Sequence, residues 1–254
     1  MIWIKAAAIA IGTYSVIPVP RCEWEGKSLR FAIFFLPLVG IILGGALFAW
    51  QWFAITLRLP TILFGAFATA FPLLLTGGIH MDGYMDVCDA LASHMTKERK
   101  LEIMKDPHCG AFAVIRCAVY LLLSLGLYAS AFQTSVITAV SIGFVLSRIL
   151  AVILALTLPN ARGGGMLFTL TGDAPRRAPL AILYSLGLCC IAAMVLCAGM
   201  AGAGGAIFAV SAFCYYRVMV LKQFGGVTGD TSGYFIQLCE LLLLIGAYAG
   251  GLLA

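Results

Sequence analysis

The sequence predicts an all-α integral membrane protein with about seven transmembrane helices, and three observations predict it: sparse charge, long apolar runs, and basic residues confined to alternate loops. Of the 254 residues 62% are hydrophobic and 11% charged, and the mean hydropathy is +1.03. A chain wetted on all sides carries about 25% charged residues, so lipid rather than water covers most of this one. Apolar runs occupy 31–56, 61–79, 111–132, 134–158, 180–201, 202–221 and 234–254. Each approaches the roughly 20 residues that a helix needs to cross a bilayer. The alternating pattern of a β-barrel strand is missing.

At the N-terminus, Lys5 is followed by the apolar stretch Ala6 to Val16 and then by Pro18-Val-Pro20. The stretch lacks a small-x-small cleavage site and is too short for a span, which predicts a retained interfacial or re-entrant helix. The break between the fifth and sixth runs rests on the glycines at 199, 202, 204 and 205. Orientation follows from charge. Arg21, Lys27 and Arg30, then Lys97, Arg99, Lys100 and Lys105, then Arg162, Arg176 and Arg177, then Lys222 fall in one set of loops, and only Arg58 in the other. The first set is therefore expected in the cytoplasm, with the C-terminus outside. Arg116 lies near enough to a span end to snorkel. Arg148 lies mid-span, where an unpaired charge is costly, so it needs an acidic or phosphate partner. Glu240, two turns into the last span, is one such partner.

The chain reads as one polytopic membrane domain, 1–254, embedded in the lipid bilayer, and a homo-oligomer is compatible with it. Nine cysteines are scattered without a C-x-x-C pair, as expected of packing residues in reduced surroundings. The formal charge of +5 matches the cytoplasmic loops, and no basic run interleaved with aromatics points to nucleic acid.

Chemistry concentrates in one loop. Six of the 11 acidic residues and all three histidines lie between 80 and 110. Asp82, Asp86 and Asp89 are spaced i, i+4, i+7, which puts them on one face if the segment is helical. Like charges at that spacing repel, so a cation is expected, and hard oxygen donors suit Mg²⁺, which leaves positions for water and substrate phosphates. Farther on, Pro107 and Gly110 predict a turn that holds Asp106 and His108 beside the carboxylates, as a further ligand or a proton acceptor. Lys105 is placed to meet a phosphate. A second segment, Gly225-Gly226-Val-Thr228-Gly229-Asp230-Thr231, offers backbone N–H groups for phosphate ahead of a helix, and Asp230 as a metal ligand. Arg162-Gly-Gly-Gly165 reads as a loop and packing feature.

At these residues the sequence resembles the cobalamin synthase family, also called adenosylcobinamide-GDP ribazoletransferases. The landmarks run in order: Ile17 to Pro20, Phe35 to Gly40, Gly77 to Leu91, Ile103 to Phe112, Ser147-Arg148, and Gly225 to Thr231. The family's acidic motif usually reads nearer to His-x-Asp-Gly-Leu-Ala-Asp-Thr-Ala-Asp-Gly-Leu. His80, Asp82, Asp86 and Asp89 match it, whereas Ala90 stands at a glycine position and 84–85 and 87–88 are local variants. His108 falls where family members vary, so a role attaches more firmly to Asp106.

The resemblance implies a transferase of the bacterial cytoplasmic membrane whose active loops face the cytoplasm. Its substrates would be adenosylcobinamide-GDP and α-ribazole, or the 5′-phosphate of α-ribazole. A ribose hydroxyl attacks the cobinamide-side phosphorus and GMP leaves. Asp82, Asp86 and Asp89 would hold Mg²⁺ and the diphosphate, with Asp230 completing the site. Asp106 or His80 would be the catalytic base. Lys105, His108, Arg148, Gly225, Gly226, Thr228, Gly229 and Thr231 would grip substrate phosphate. The competing readings are a CDP-alcohol phosphotransferase, a prenyltransferase, and a metal or corrinoid transporter. The first is expected to carry Ala-Arg where Met85-Asp86 stands, the second a further aspartate-rich loop, and the third ionisable residues at mid-membrane.

Overall fold

The computed structural model describes residues 2–20, 27–132, 134–172, 174–175 and 177–254; its regular structure is helical apart from one isolated bridge. Arg21 and Arg176, two of the residues used for orientation, lie outside the described residues. The helices are α1 (Ile2–Tyr14), α2 (Lys27–Ala32), α3 (Leu36–Thr56), α4 (Thr61–Leu75), α5 (Ile79–Ala92), α6 (Lys97–Ile103), α7 (Ala111–Ser130), α8 (Thr134–Thr157), α9 (Met166–Thr171), α10 (Arg177–Gln223) and α11 (Gly229–Gly251).

Among the described residues, five helical stretches are long and apolar enough to cross a membrane: Ser28–Thr56, Ala111–Ser130, Ser135–Thr157, Arg177–Gln223 and Gly229–Gly251. The 47-residue α10 is one of these five but is broken into two helices, which makes six. Gly199 takes φ 56 and ψ −129, a conformation essentially restricted to glycine. The chain folds back there so closely that a Cβ on Gly202 would strike the carbonyl of Met194. The break thus falls at the first residue of the predicted glycine cluster, and the other three pack helices together. Gly204 lies against the Gly246 carbonyl on α11, and Gly205 against the Met194 methyl. The seventh apolar segment is α4, whose 15 residues end in a 93° bend into α5. Gly77 and Gly78, at φ 62 and 76, make that bend, and it coincides with the change from apolar to acidic sequence. The protein is a multi-pass membrane protein of about seven helical spans.

α8 is the central helix, with most of its apolar length buried. It packs on α3, α10 and α11. Gly40 and Gly44, one turn apart, let α3 approach it; a Cβ on Gly40 would sit 2.5 Å from the Phe144 carbonyl. Arg148 on α8 pairs with Glu240 on α11, and its guanidinium also donates to the Phe144 carbonyl at 2.8 Å and to Ser147 Oγ at 3.0 Å. The acidic partner expected for this mid-span charge is therefore Glu240. α1, at 13 residues, is too short to cross and packs on α2 and α3. Its end is tied down by the Val16 N–H donating to the Leu75 carbonyl at 2.9 Å, which stacks Tyr14 on His80 at 6.0 Å. The eight described cysteines are all free, as expected.

Candidate active site

Two glycines create the site by letting α5 cross the start of α11 in backbone contact. A Cβ on Gly83 would lie 2.7 Å from the Asp230 carbonyl oxygen and 2.8 Å from its Cα. A Cβ on Gly233 would lie 3.0 Å from the His80 carbonyl oxygen. The carboxylates of α5 thus stand beside Asp230, in the first turn of α11. The short α10–α11 connection, residues 224–228, is held by the chain that follows α8. The Val227 N–H donates to the Pro159 carbonyl at 2.8 Å, and the Ala161 N–H to the Val227 carbonyl at 3.0 Å. This ladder brings Arg162 to Asp230, NH1 to Oδ2 at 2.9 Å.

A cavity of about 240 Å³ opens between these elements. Asp82, Arg162, Gly164, Gly165, Gly229 and Asp230 line its exposed mouth, and its inner wall is apolar. A second hollow, of about 280 Å³, is lined by Asp86, Asp89, Asp106, His108 and Phe112 among others. The acidic face of α5 therefore lies between two hollows.

The three aspartates of that face differ in their surroundings. Asp82 is exposed at the cavity mouth. Asp86 is half-buried; burial first, then the charges of Asp82 and Asp230, push its carboxyl up from 3.8 to about 6, with Arg162 opposing. Asp89 accepts N–H bonds from Gly110 at 2.6 Å and Ala113 at 2.8 Å, so both its oxygens cap the N-terminus of α7. Gly110 is required there, because a Cβ would collide with that carboxylate at 2.5 Å.

Asp106 caps its own turn, accepting from the His108 N–H at 2.9 Å with His108 Nδ1 at 2.7 Å; these bonds hold its carboxyl below the usual range. Lys105 is exposed on the same turn and lines neither hollow. In the Gly225–Thr231 segment, Thr228 and Thr231 form a capping box, so each hydroxyl accepts the other's backbone N–H. Gly226 packs on the Pro159 carbonyl, and Gly225 makes the turn at φ 78. Thr228 and Gly229 reach the cavity, whereas Gly225, Gly226 and Thr231 support it. His80 is buried in the cavity wall with no hydrogen-bond partner on either ring nitrogen, and burial pushes it down to about 3, helped by Arg148. Arg148 itself is held away from the cavity in its ion pair.

Sequence reasoning missed Arg162 as a site residue, along with Gly164 and Gly165. No periodicity marks them; the signal available was a lone arginine ahead of three glycines in a loop on the same side as the carboxylates.

Among the described residues, no three His, Cys, Asp or Glu side chains form a ready-made metal cage. Mg²⁺ is ordinarily held by one or two carboxylates plus substrate phosphates. Burial first, then the charges of Asp82 and Asp230, disfavour the ionised form of Asp86, and a cation beside these carboxylates would offset that cost.

Comparison with known proteins accounts for nearly the whole chain. A family model described as cobalamin-5-phosphate synthase (CobS) matches residues 6–248. A protein of Lachnoclostridium phytofermentans named adenosylcobinamide-GDP ribazoletransferase is 39% identical over 95% of this chain and 92% of its own length. Proteins of the same name from Desulfitobacterium hafniense and Pseudomonas savastanoi are 37% and 33% identical, over 94% and 89% of this chain and 95% and 90% of theirs. No solved structure matches. The landmark motifs, their order and the match over almost the full length agree, and the chain belongs to the cobalamin-5-phosphate synthase (CobS) family.

Proposed function

We propose that this chain is an adenosylcobinamide-GDP ribazoletransferase of the bacterial cytoplasmic membrane, with α5 and the cavity facing the cytoplasm. It joins adenosylcobinamide-GDP to α-ribazole, or to its 5′-phosphate, giving adenosylcobalamin or its 5′-phosphate and GMP. The observation that carries this reading is the meeting of Asp82 with the Asp230–Arg162 pair at one cavity mouth, in a chain whose relatives bear that name.

In the reaction a ribose hydroxyl oxygen forms a bond to the cobinamide-side phosphorus, the bond from that phosphorus to the bridging oxygen breaks, and GMP leaves with the electron pair. Asp82, Asp86 and Asp230 would hold Mg²⁺, which when bound neutralises diphosphate charge. Arg162 offers a guanidinium fork that can exchange its carboxylate partner for a phosphate. The first turn of α11 directs N–H groups and the positive end of the helix dipole to the same place. Of the two expected proton acceptors, buried His80 is a poor base because its protonated form is so disfavoured. Asp106, exposed and ionised in the second hollow beside Asp86, is the base we favour.

The test is turnover by the purified, detergent-solubilised protein. With adenosylcobinamide-GDP, α-ribazole and Mg²⁺, GMP and a cobamide are expected in equal amounts. Release of GMP without α-ribazole, or no release at all from folded protein, refutes the proposal.

A further inference from the structure

The cavity is polar at its mouth and apolar within. Its inner wall is made by Ile33, Leu36, Ala151, Val152, Ala155 and Ile236, all buried. Set in this wall is His80, 3% exposed, with both ring nitrogens lacking a hydrogen-bond partner and one ring face stacked on Tyr14. A buried imidazole left unsatisfied on both nitrogens is costly, and an occupant that bonds to it recovers that cost.

Resting on the function proposed above, we infer that this cavity is the acceptor site, taking the ribazole with its base against the apolar wall and its ribose toward His80 and the mouth. The alternative occupant is the guanosine end of the donor. Guanine carries donors and acceptors along its edges, and the aliphatic wall would leave them unpaired, each with its desolvation uncompensated. A ribosylated benzimidazole has no exocyclic polar group and a single ring-nitrogen acceptor, so it leaves at most one group to pair there. The donor's diphosphate and corrin then lie outside the mouth, along the carboxylate row. This geometry makes His80 a binding residue for the acceptor and Ala155 a determinant of the space its base occupies.

The test measures binding rather than turnover, by equilibrium dialysis of the solubilised protein with labelled α-ribazole or adenosylcobinamide-GDP. The unmodified protein should bind α-ribazole alone, and excess GDP should not displace it. Ala155→Phe, which fills the wall, and His80→Ala should each weaken α-ribazole binding tenfold or more and leave adenosylcobinamide-GDP within twofold. Displacement of α-ribazole by GDP in the unmodified protein overturns the inference whether or not the variants fold. So does loss of donor binding, alone or to the same extent, in variants that elute as folded protein. If the unmodified protein still releases GMP while either result holds, the acceptor site is misassigned and the proposed function stands; if it releases none, that function itself fails.

Discussion

Asp82 and Asp89 lie two turns apart on one helix, yet the fold gives their carboxylates different partners. Asp89 is anchored to the backbone of α7, whereas Asp82 reaches open solvent at the cavity mouth. Asp82→Asn keeps the shape and removes the charge. It is expected to lower GMP release by at least about 10²-fold, the usual cost of deleting one group that stabilises transition-state charge, with membrane insertion unchanged. Near-normal turnover would remove Asp82 from the reaction. Asp86 governs pH dependence. Its folded carboxyl holds a proton up to about 6 that an ordinary one releases at 3.8. The metal-free fold therefore loses stability as pH rises through that window. A cation at the site competes with the same proton, so Mg²⁺ affinity should fall as pH drops below about 6. Calorimetry should then detect proton release on Mg²⁺ binding at about pH 5.5 and little at about pH 7.5.

At the scale of elements, the site depends on one helix crossing. Gly83→Ala puts a methyl 2.7 Å from the Asp230 carbonyl, so α5 and α11 must move apart and carry Asp82 and Asp86 away from Asp230. Displacement of about 1 Å at a reacting centre costs on the order of 10²-fold. GMP release should fall by that order while the protein still elutes as a folded species. The α8–α11 contact calls for a different experiment. Glu240→Gln leaves Arg148 charged and buried, and should destabilise by about 3–5 kcal/mol in thermal or denaturant unfolding. Removing both partners with Arg148→Met and Glu240→Met should recover most of that loss. Because Arg148 is held away from the cavity, the paired variant should keep GMP release within tenfold; a complete loss would return Arg148 to a role in phosphate binding.

For the whole molecule, the loops that carry basic residues meet at one end. Lys97 Nζ donates to the Leu221 carbonyl at 3.2 Å, Lys100 to Gln223 Oε1 at 2.5 Å, and Arg162 to the Met104 carbonyl at 3.4 Å. The proposed orientation puts that end in the cytoplasm. Cys109 is exposed on the α6–α7 connection there. In a variant whose other cysteines are replaced by alanine, an impermeant maleimide should label Cys109 in inside-out vesicles and spare it in right-side-out ones. The reverse pattern would invert the topology.

The sequence alone determined the class, the approximate span count, the acidic face of α5 and the family, because hydropathy, loop charge and short motifs are local properties. It also named Glu240 as a partner for Arg148, since a buried charge leaves few alternatives. What local pattern does not encode is which loops meet. The approach of Arg162 to Asp230 depends on the backbone ladder between 159–161 and 227, and the division of labour between Asp82 and Asp89 on where α7 begins. The loop rich in aspartate and histidine thus becomes half of a site. Tertiary structure supplied the other half through two glycines, Gly83 and Gly233, whose missing side chains let α5 and α11 touch.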